Sequence, residues 1–240
     1  MRGVYAASSV FLACLNYQAL IAKNLANAST PGYRAERLEL RSFEELLLGL
    51  SGDSADAVGL GVSSRAAPVD LSQGPLKETD RPLDLAVEGQ AFFTVQTPQG
   101  IRLTRDGTFG LSAARELVTS EGYLVLGTNG PIVLPEGEVT VTEAGNVLVG
   151  DRAVAQLALA VPTDEAAVEK VGGNLLAGLW RAATPEEGRV LQGYIEGSNV
   201  DLSDAVVQMM AVYRTYEAAQ RVVLAQSQAM DAAANELGRV

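Results

Sequence analysis

Two regularly spaced apolar stripes, one near each end of the chain, constrain the fold most strongly. Both stripes advance in alternating steps of four and three residues, which keeps one side of an α-helix facing a partner helix. The spacing therefore predicts two terminal helices that pair as a coiled coil. The N-terminal stripe contains Val4, Ser8, Phe11, Leu15, Gln18, Ala22 and Leu25. The C-terminal stripe contains Leu202, Val206, Met209, Tyr213, Tyr216, Gln220, Val223, Ser227, Met230, Ala234 and Leu237.

The large apolar members of these stripes are the predicted seam between the helices, and we call them the seam residues. They are Val4, Phe11, Leu15 and Leu25 on the first helix, and Val206, Met209, Tyr213, Tyr216, Val223, Met230 and Leu237 on the second. The first helix is also apolar on its other faces, for example at Leu12 and Ile21. Such a helix is expected to be buried on several sides, so we expect other subunits to cover it.

Capping signals place the ends of both predicted helices. The segment from Asn27 to Gly32 is expected to end the first helix, because Pro31 cannot continue it and Gly32 tolerates a left-handed backbone. Asp201 or Ser203 can cap the start of the second helix, and Gly238 can end it.

The middle of the chain alternates short apolar runs with turn residues, which is typical of strands. Asp106-Gly107 and Asn129-Gly130 are hairpin-turn dipeptides. We expect a mainly β protein with terminal α-helices, in which an antiparallel β domain, a barrel or a sandwich, is inserted between the helices. The predicted strands cover residues 83–87, 92–95, 101–103, 117–119, 123–126, 132–134, 139–141, 147–149 and 154–161.

These signals divide the chain into four predicted segments. Residues 1–33 form the N-terminal helix and a turn, and residues 34–64 form a connecting segment. Within the connecting segment, residues 38–50 fit a short helix, while Leu38-Glu39-Leu40 fits a strand. Residues 65–198 form the β-rich domain, with a surface excursion over 162–190 and a possible short helix over 164–171, and residues 199–240 form the second helix.

Composition removes several classes of function. The chain has no histidine and a single cysteine, Cys14, so a Ser-His-Asp or Cys-His catalytic group and a Cys/His zinc site are excluded. Its formal net charge of −11 and its lack of basic clusters disfavour nucleic acid and anionic membranes as partners. Asp84, Glu88 and Asp106 lie near turn glycines, where carboxylates are usually solvated, so we predict no catalytic, cofactor-binding or metal-binding residues.

The N-terminal residues fit a mature helix better than a signal peptide. Arg2 precedes a short apolar stretch over residues 10–15, but no small-residue cleavage site follows, and the helical spacing continues to Leu25. The sequence also lacks the 18 consecutive apolar residues that a membrane-spanning helix needs. We therefore expect no cleaved signal and no insertion into a membrane.

Two polar motifs border the predicted helices. Asn24-Leu25-Ala26-Asn27-Ala28-Ser29-Thr30-Pro31-Gly32-Tyr33 follows the first helix, and Glu196-Gly197-Ser198-Asn199-Val200 precedes the second. Taken alone, the first is a helix C-cap with a turn and the second is an N-cap region. We call them the first and second motif. Their candidate assembly residues are Asn24, Leu25, Asn27, Thr30, Gly32, Tyr33, Glu196, Ser198, Asn199 and Val200.

Together, these motifs resemble those of the flagellar rod and hook family. Two further segments in the same order add to the resemblance: Gly74-Pro75-Leu76 with residues 79–93, and Thr104-Arg105-Asp106-Gly107-Thr108-Phe109 with residues 117–123. The chain departs from the family where Ala113-Ala114-Arg115-Glu116 replaces a glycine-containing turn, and where Tyr213 replaces a polar residue.

The resemblance implies a structural subunit of the bacterial flagellar basal-body rod and not an enzyme. It also implies export through the flagellar type III apparatus, polymerisation through the terminal helices, and other rod and hook subunits as partners. The short length favours rod over hook, and residues 130–137 resemble the proximal-rod branch more than the distal one. Alternatives are a hook-basal-body accessory or adaptor protein and, less favoured, a secreted β-domain binding module or wall hydrolase.

Overall fold

The computed structural model describes residues 2–42, 62–172 and 174–237. The chain divides into two compact units. The first unit consists of Met1–Leu25, Glu36–Ala67 and Asp201–Val240, and the second consists of Ala26–Ala35 and Pro68–Val200. The chain therefore passes between the units at four points in the sequence.

Two long helices dominate the first unit. Helix α1 spans Arg2–Ala26 and helix α2 spans Leu202–Leu237. Helix α1 ends immediately before Asn27, as the motif predicts. The Asp201 carboxylate accepts hydrogen bonds from the backbone N–H groups of Ser203 (2.8 Å) and Asp204 (3.1 Å). Asp201 is therefore the N-cap of α2, since a cap side chain satisfies N–H groups that the first helical turn leaves unpaired.

Side-chain contacts show that the two helices run antiparallel. The rings of Phe11 and Tyr216 lie 4.7 Å apart, and the Tyr17 hydroxyl donates to Gln208 Oε1 at 3.3 Å. Position along α1 thus rises as position along α2 falls. Helix α2 has 36 residues and α1 has 25. At this register the start of α1 lies opposite the region around Val223, so the later turns of α2 extend beyond α1.

A two-stranded antiparallel sheet completes the described part of the first unit. Strand β1 (Leu38–Ser42) pairs with β2 (Val62–Ala66), with Leu38 opposite Ala66. Of the two interpretations of residues 38–40, the structure has the strand. The alternative helix beyond Ser42 lies outside the described residues, as does the predicted cap at Gly238. Residues 51–64, rich in Gly, Ser and Asp, fit a loop in the sequence; residues 51–61 also lie outside the described residues, and residues 62–64 belong to β2.

The second unit is built from antiparallel strands. The main sheet has the order β15-β16-β6-β5-β9-β8-β7; β14 pairs with β5 and β17, and β10 pairs with β9. Smaller sheets are β11-β12-β13, β18-β4 and β19-β3. The strands are β3 (Leu76–Glu78), β4 (Leu85–Gly89), β5 (Phe92–Thr97), β6 (Gly100–Thr104), β7 (Gly110–Leu111), β8 (Leu117–Val118), β9 (Leu124–Gly127), β10 (Gly130–Pro131), β11 (Val139–Val141), β12 (Asn146–Val149), β13 (Arg152–Gln156), β14 (Leu159–Pro162), β15 (Glu169–Lys170), β16 (Leu175–Ala177), β17 (Trp180–Ala182), β18 (Gly188–Gln192) and β19 (Tyr194–Glu196).

Strand β5 lies at the centre of the unit because both of its faces are buried. Phe93 and Val95 point into the larger apolar cluster, where the Phe93 ring meets the edge of Phe109 at a centroid distance of 5.0 Å. Phe92 points to the other face, where a second cluster includes Leu103 and Leu176. Burial on both faces explains why this strand has the adjacent apolar residues Phe92 and Phe93, where a half-buried strand would alternate.

Three of the predicted turns and strands differ in the structure. The predicted strand over 154–161 is divided between β13 (Arg152–Gln156) and β14 (Leu159–Pro162), which belong to different sheets. Asp106-Gly107 joins no hairpin: Asp106 Oδ1 accepts the Thr108 N–H at 3.0 Å, and Leu85 donates to the Gly107 carbonyl at 3.0 Å. Residues 132–134 form no strand, although Ile132 and Leu134 are buried in the larger cluster. The hairpin at Asn129-Gly130 is confirmed, since β9 and β10 pair across it.

The stretch over residues 162–190, predicted as a surface excursion, is largely exposed but carries strands. Its short helix is one 3₁₀ turn, Glu165–Ala167. Strand β16 pairs with β6, β17 pairs with β14, and β18 pairs with β4. This stretch is therefore part of the sheets of the second unit. The antiparallel β fold with two terminal helices is as expected, while closure into a barrel or sandwich and coiled-coil packing stay predictions.

The turn that departs from the family pattern is a tight β7–β8 hairpin. Arg115 occupies a left-handed conformation with φ +60°, which favours glycine. Its guanidinium donates to the Leu134 carbonyl (2.7 Å) and to the Pro135 carbonyl (2.6 Å). These bonds offset the strain of a non-glycine residue at this position.

No helix in the described part of the chain is both long enough and apolar enough to cross a membrane.

Candidate functional site

A buried carboxylate, Glu196, joins three segments that are distant in sequence. Its side chain is 0% exposed. Glu196 Oε1 accepts hydrogen bonds from Arg34 Nη2 (2.6 Å) and from the Gly74 backbone N–H (2.7 Å). Glu196 Oε2 accepts one from Arg105 Nη1 at 2.9 Å. We call Glu196, Arg34, Arg105 and Gly74 the Glu196 cluster.

The cluster holds two guanidinium groups against one carboxylate. Burial lowers the pKa of Arg105 to about 10; the Glu196 charge acts against that shift, and Arg34 adds to it. Arg105 stays protonated at neutral pH, so the cluster carries one positive charge in excess. Arg105 also donates to the carbonyls of Val87 and Gly89 and lies over the Phe92 ring, 4.5 Å from its centroid. These contacts spread the excess charge over backbone dipoles and a ring face.

The turn of the first motif is closed by local and distant backbone bonds. The Thr30 N–H donates to the Asn27 carbonyl (3.1 Å), the Tyr33 N–H to the Thr30 carbonyl (3.3 Å), and the Gly32 N–H to the Glu196 carbonyl (2.8 Å). Gly32 has φ +67°, and a Cβ there would lie 2.2 Å from the Asp106 backbone nitrogen. Only glycine meets both demands, since it has no Cβ and adopts positive φ without penalty.

Asn24 fastens the end of α1 to the chain that returns after the turn. Its Nδ2 donates to the Glu36 carbonyl at 2.8 Å, and the Glu36 N–H donates back to Asn24 Oδ1 at 3.1 Å. Lys23 forms an ion pair with the Glu36 carboxylate. The amide side chain thus pairs with a backbone residue in the way a strand neighbour would, which requires both a donor and an acceptor.

Asn199, in the second motif, also bonds to backbone groups through both its side-chain oxygen and its side-chain nitrogen. Its Oδ1 accepts the Ala35 N–H at 2.7 Å, and its Nδ2 donates to the carbonyls of Asp70 (3.0 Å) and Ser72 (3.1 Å). The Asn199 N–H also donates to the Tyr33 carbonyl at 3.3 Å. One asparagine therefore bridges three separate stretches of the second unit.

The remaining motif residues act locally. Ser198 Oγ accepts the Val200 N–H at 3.3 Å, and Thr30 Oγ1 donates to Asn27 Oδ1 at 3.3 Å. Tyr33 is buried, Val200 is partly buried and Leu25 is exposed. The structure thus brings Gly32, Tyr33, Glu196 and Asn199 together in the second unit, while Asn24 acts in the first.

The geometry of this site suits fastening and not catalysis. The Glu196 carboxylate is completely enclosed and its oxygens are used in three hydrogen bonds, so a substrate cannot reach it. Asp106 is bound by Thr108, and Glu88 is paired with Arg189. Asp84 is not solvated as the sequence predicts, since it is 2% exposed and forms an ion pair with Arg81 at 3.7 Å.

Comparison with known proteins identifies the origin of these motifs. Residues 86–149 match the flagellar hook protein FlgE/F/G D1 domain, and residues 191–237 match the flagellar basal body rod FlgEFG protein C-terminal region. The flagellar hook-basal body complex protein FlhO of Bacillus subtilis is 32% identical, covering 100% of both chains. The flagellar basal-body rod protein FlgF of Salmonella typhimurium is 32% identical over 92% of each chain.

This chain belongs to the flagellar rod and hook family. A further relative, the flagellar basal-body rod protein FlgG of Agrobacterium fabrum, is 33% identical over 85% of this chain and 87% of its own. Proteins named FlgF and FlgG thus match about equally well. The preference for the proximal rod stays a prediction.

Helices α1 and α2 bury only part of their apolar surface against the other described residues of this chain. On α2 the buried positions are Ala205, Val212 and Ala219, and on α1 they include Cys14 and Ile21. Burial raises the pKa of the Cys14 thiol, as expected for a small residue packed on a helix face.

The seam residues are divided between these faces. Phe11 and Tyr216 are in contact, and Met209 and Val223 are partly buried. Leu15, Leu25, Val206, Tyr213 and Met230 are exposed. The side chains of Val4 and Leu237 lie outside the described part of the structure. A role for the full seam in pairing between subunits stays a prediction.

Sequence reasoning missed Arg34, Arg105 and Gly74 as site residues. Arginine is rarely fully buried, so an arginine next to a motif is by default expected to be solvated. The available signal was position: Arg34 directly follows the first motif, and Arg105 and Gly74 belong to two other segments that match the rod and hook family. A glutamate in the second motif needs a positive partner if it is buried.

Proposed function

We propose that this protein is a structural subunit of the flagellar basal-body rod and that it polymerises through its terminal helices. Its relatives are named as basal-body rod and hook-basal body complex proteins. The role as a structural rod subunit follows from that family. The helices as the polymerising surface, export through the flagellar type III apparatus, and other rod and hook subunits as neighbours are the further parts of the proposal.

One observation carries the polymerisation step: α2 has a second apolar face that this chain leaves exposed. Leu224 is 60% exposed, Tyr213 55% and Val206 48%, and their positions along the helix place all three on one side of it. The helix is about 54 Å long at 1.5 Å per residue, so this face is extended. Exposed apolar surface of this extent marks an interaction site in a soluble protein.

A filament follows if the exposed face of one subunit meets a different face of the next. Such a heterologous contact does not close on itself and continues as a helical assembly. Helix α1 contributes Leu12, 61% exposed, on a side that does not face α2. Both helices therefore offer surfaces that further copies or related subunits can cover.

The Glu196 cluster and the two asparagines support this role by fixing the path of the chain. Asn24 and Asn199 fasten residues next to the points where the chain passes between its two units. A subunit in a rotating shaft must carry load through those connections. Hydrogen bonds that fix these connections suit a subunit that transmits force better than they suit a binding module.

The test is the presence and copy number of this protein in purified basal bodies, measured by quantitative mass spectrometry against a known rod component. We expect several copies in each basal body. The name of the FlhO relative also supports a second candidate, an adaptor within the hook-basal body complex. Such an adaptor would also be found in purified basal bodies, but at a copy number too small for a rod segment. Absence from basal bodies would contradict both functions.

A further inference from the structure

Two side chains from outside the family motifs bind the turn of the first motif. Lys170 Nζ donates to the Arg34 carbonyl at 3.0 Å and lies 3.2 Å from the centroid of the Tyr33 ring. Asn174 Nδ2 donates to the Pro31 carbonyl at 2.7 Å and to Asp106 Oδ2 at 3.3 Å. Both residues belong to the β15–β16 hairpin or its loop, in the stretch that the sequence reads as an excursion.

The turn depends on donors supplied from elsewhere. Its two local backbone bonds end on the carbonyls of Asn27 and Thr30, and within the described part of the chain the carbonyls of Pro31 and Arg34 accept no backbone hydrogen bond. These two carbonyls bond in a partly buried setting, where an unpaired carbonyl costs free energy. Asn174 and Lys170 provide those two donors.

The lysine contact requires a cation. A positively charged group over an aromatic face is attracted by the ring quadrupole, and Tyr33 is almost fully buried, which strengthens the attraction. The same ammonium group also donates to a carbonyl. A neutral side chain of similar length fills the space but makes neither interaction.

The hairpin is a firm base for these side chains. Strand β16 pairs with β6, placing Leu175 opposite Thr104 and Leu176 opposite Leu103. Val168 and Leu176 are buried in the second apolar cluster with Phe92. The position of the hairpin is therefore set by the main sheet and not by the turn that it binds.

We infer that the β15–β16 hairpin is a clamp on the first motif, with Lys170 and Asn174 as positioning residues that hold its turn in the conformation needed for assembly. The structural part of this inference stands by itself, and its consequence for assembly rests on the proposed rod function. The clamp predicts that the turn opens locally when either side chain is removed, while the sheet behind it remains folded.

Amide hydrogen exchange on the purified full-length chain tests the clamp. In Lys170→Met, exchange of peptides containing Gly32 and Tyr33 is expected to accelerate at least ~10-fold, because an opening equilibrium controls it. Peptides from β5 and β9 should keep their protection. Lys170→Arg should restore the slow exchange, since it keeps the cation, and Asn174→Ala should accelerate exchange at the same peptides.

Lys77→Met is the matched control, since Lys77 is exposed on β3, where its partner across the ladder is Ile195 and not a residue of the turn. It should leave exchange unchanged. Unchanged protection of the turn in both Lys170→Met and Asn174→Ala would overturn the clamp, and so would faster exchange throughout the sheet.

The same variants are then placed in a strain lacking the gene: loss of swimming supports the assembly role, and normal swimming with an open turn overturns that role. If the gene itself is dispensable for swimming, the rod function fails separately from the clamp.

Discussion

Glu196 is bonded to residues 162, 122 and 91 positions away in sequence, through Arg34, Gly74 and Arg105. Burying three ionised side chains has a desolvation cost that their attraction offsets only in part. Arg34 Nε, Arg34 Nη1 and Arg105 Nε have no hydrogen-bond partner among the described residues. The cluster is therefore better understood as fixing one arrangement of the chain than as a large source of stability.

Replacing the Glu196 carboxylate should lower the free energy of unfolding by much more than the intact cluster contributes to it. Glu196→Gln removes the only negative charge and leaves two guanidinium groups buried together. We expect a loss of about 3–5 kcal/mol in the free energy of unfolding, the usual cost of breaking a buried ion pair. Urea unfolding of the purified chain measures it.

The matched control for that substitution is Glu88→Gln, which breaks the exposed ion pair with Arg189. A solvated pair of this kind contributes at most about 1 kcal/mol. Equal losses for the two variants would show that the Glu196 cluster is not a coupled buried network.

Gly32 gives a second prediction at the residue scale. Gly32→Ala combines an unfavourable positive φ with a Cβ only 2.2 Å from a backbone nitrogen. Gly122→Ala has a similar φ of +85° and no atom within 4 Å of the new Cβ. We expect Gly122→Ala to cost about 1–2 kcal/mol from conformation alone. Gly32→Ala should cost clearly more in the same unfolding assay, and an equal or smaller cost would contradict the close packing of the turn against Asp106.

At the scale of elements, α2 extends past the start of α1. Some apolar residues of α2 therefore lie opposite α1, and others lie beyond it. Val223 and Met230 are seven residues apart and therefore lie on nearly the same side of the helix. Val223 is partly buried, whereas Met230 is 49% exposed. The position of α1 explains this difference in exposure. The first turn of α1 lies opposite the region around Val223, so α1 does not reach Met230.

The same substitution at these two positions should therefore have different effects. Val223→Asp places a charge in the packed helix pair and should destabilise the isolated chain by about 2 kcal/mol. Met230→Asp should leave the helical circular dichroism and the stability of the isolated chain unchanged, yet abolish swimming, because it places a charge in the surface that we propose neighbouring subunits cover.

Met230→Leu, which keeps the apolar volume, should preserve swimming. Normal swimming of the Met230→Asp strain would show that the end of α2 is not an assembly surface.

The strands that the sequence predicts well are those with apolar runs long enough to show burial. Strand β11 matches its prediction residue for residue, and β5 extends its predicted run by two residues. The sequence does not predict strands β15 and β17, since Glu169–Lys170 has no apolar residue and Trp180–Ala182 is too short for its alternation to be distinguished. They are held by neighbouring strands, and this is tertiary information that local spacing does not contain.

At the scale of the molecule, the order of the motifs along the chain predicted the family, but not how the motifs meet. The sequence marks Glu196 and Gly32 as motif residues, and the structure joins them through a backbone bond from Gly32 to the Glu196 carbonyl. Positions separated by more than 160 residues meet only because the strands between them fold back. Capping and turn chemistry are local and predictable, whereas the partners of a buried ion depend on the whole fold.

At the scale of the whole molecule, we propose that a subunit with two apolar helix faces and a hydrogen-bonded β unit is built into the flagellar rod. The most direct test is electron microscopy of basal bodies from a strain in which the gene is deleted, together with its swimming motility. We expect non-swimming cells whose rods are truncated or absent, and recovery of both by the wild-type gene. Swimming cells with complete rods would contradict a role in the rod.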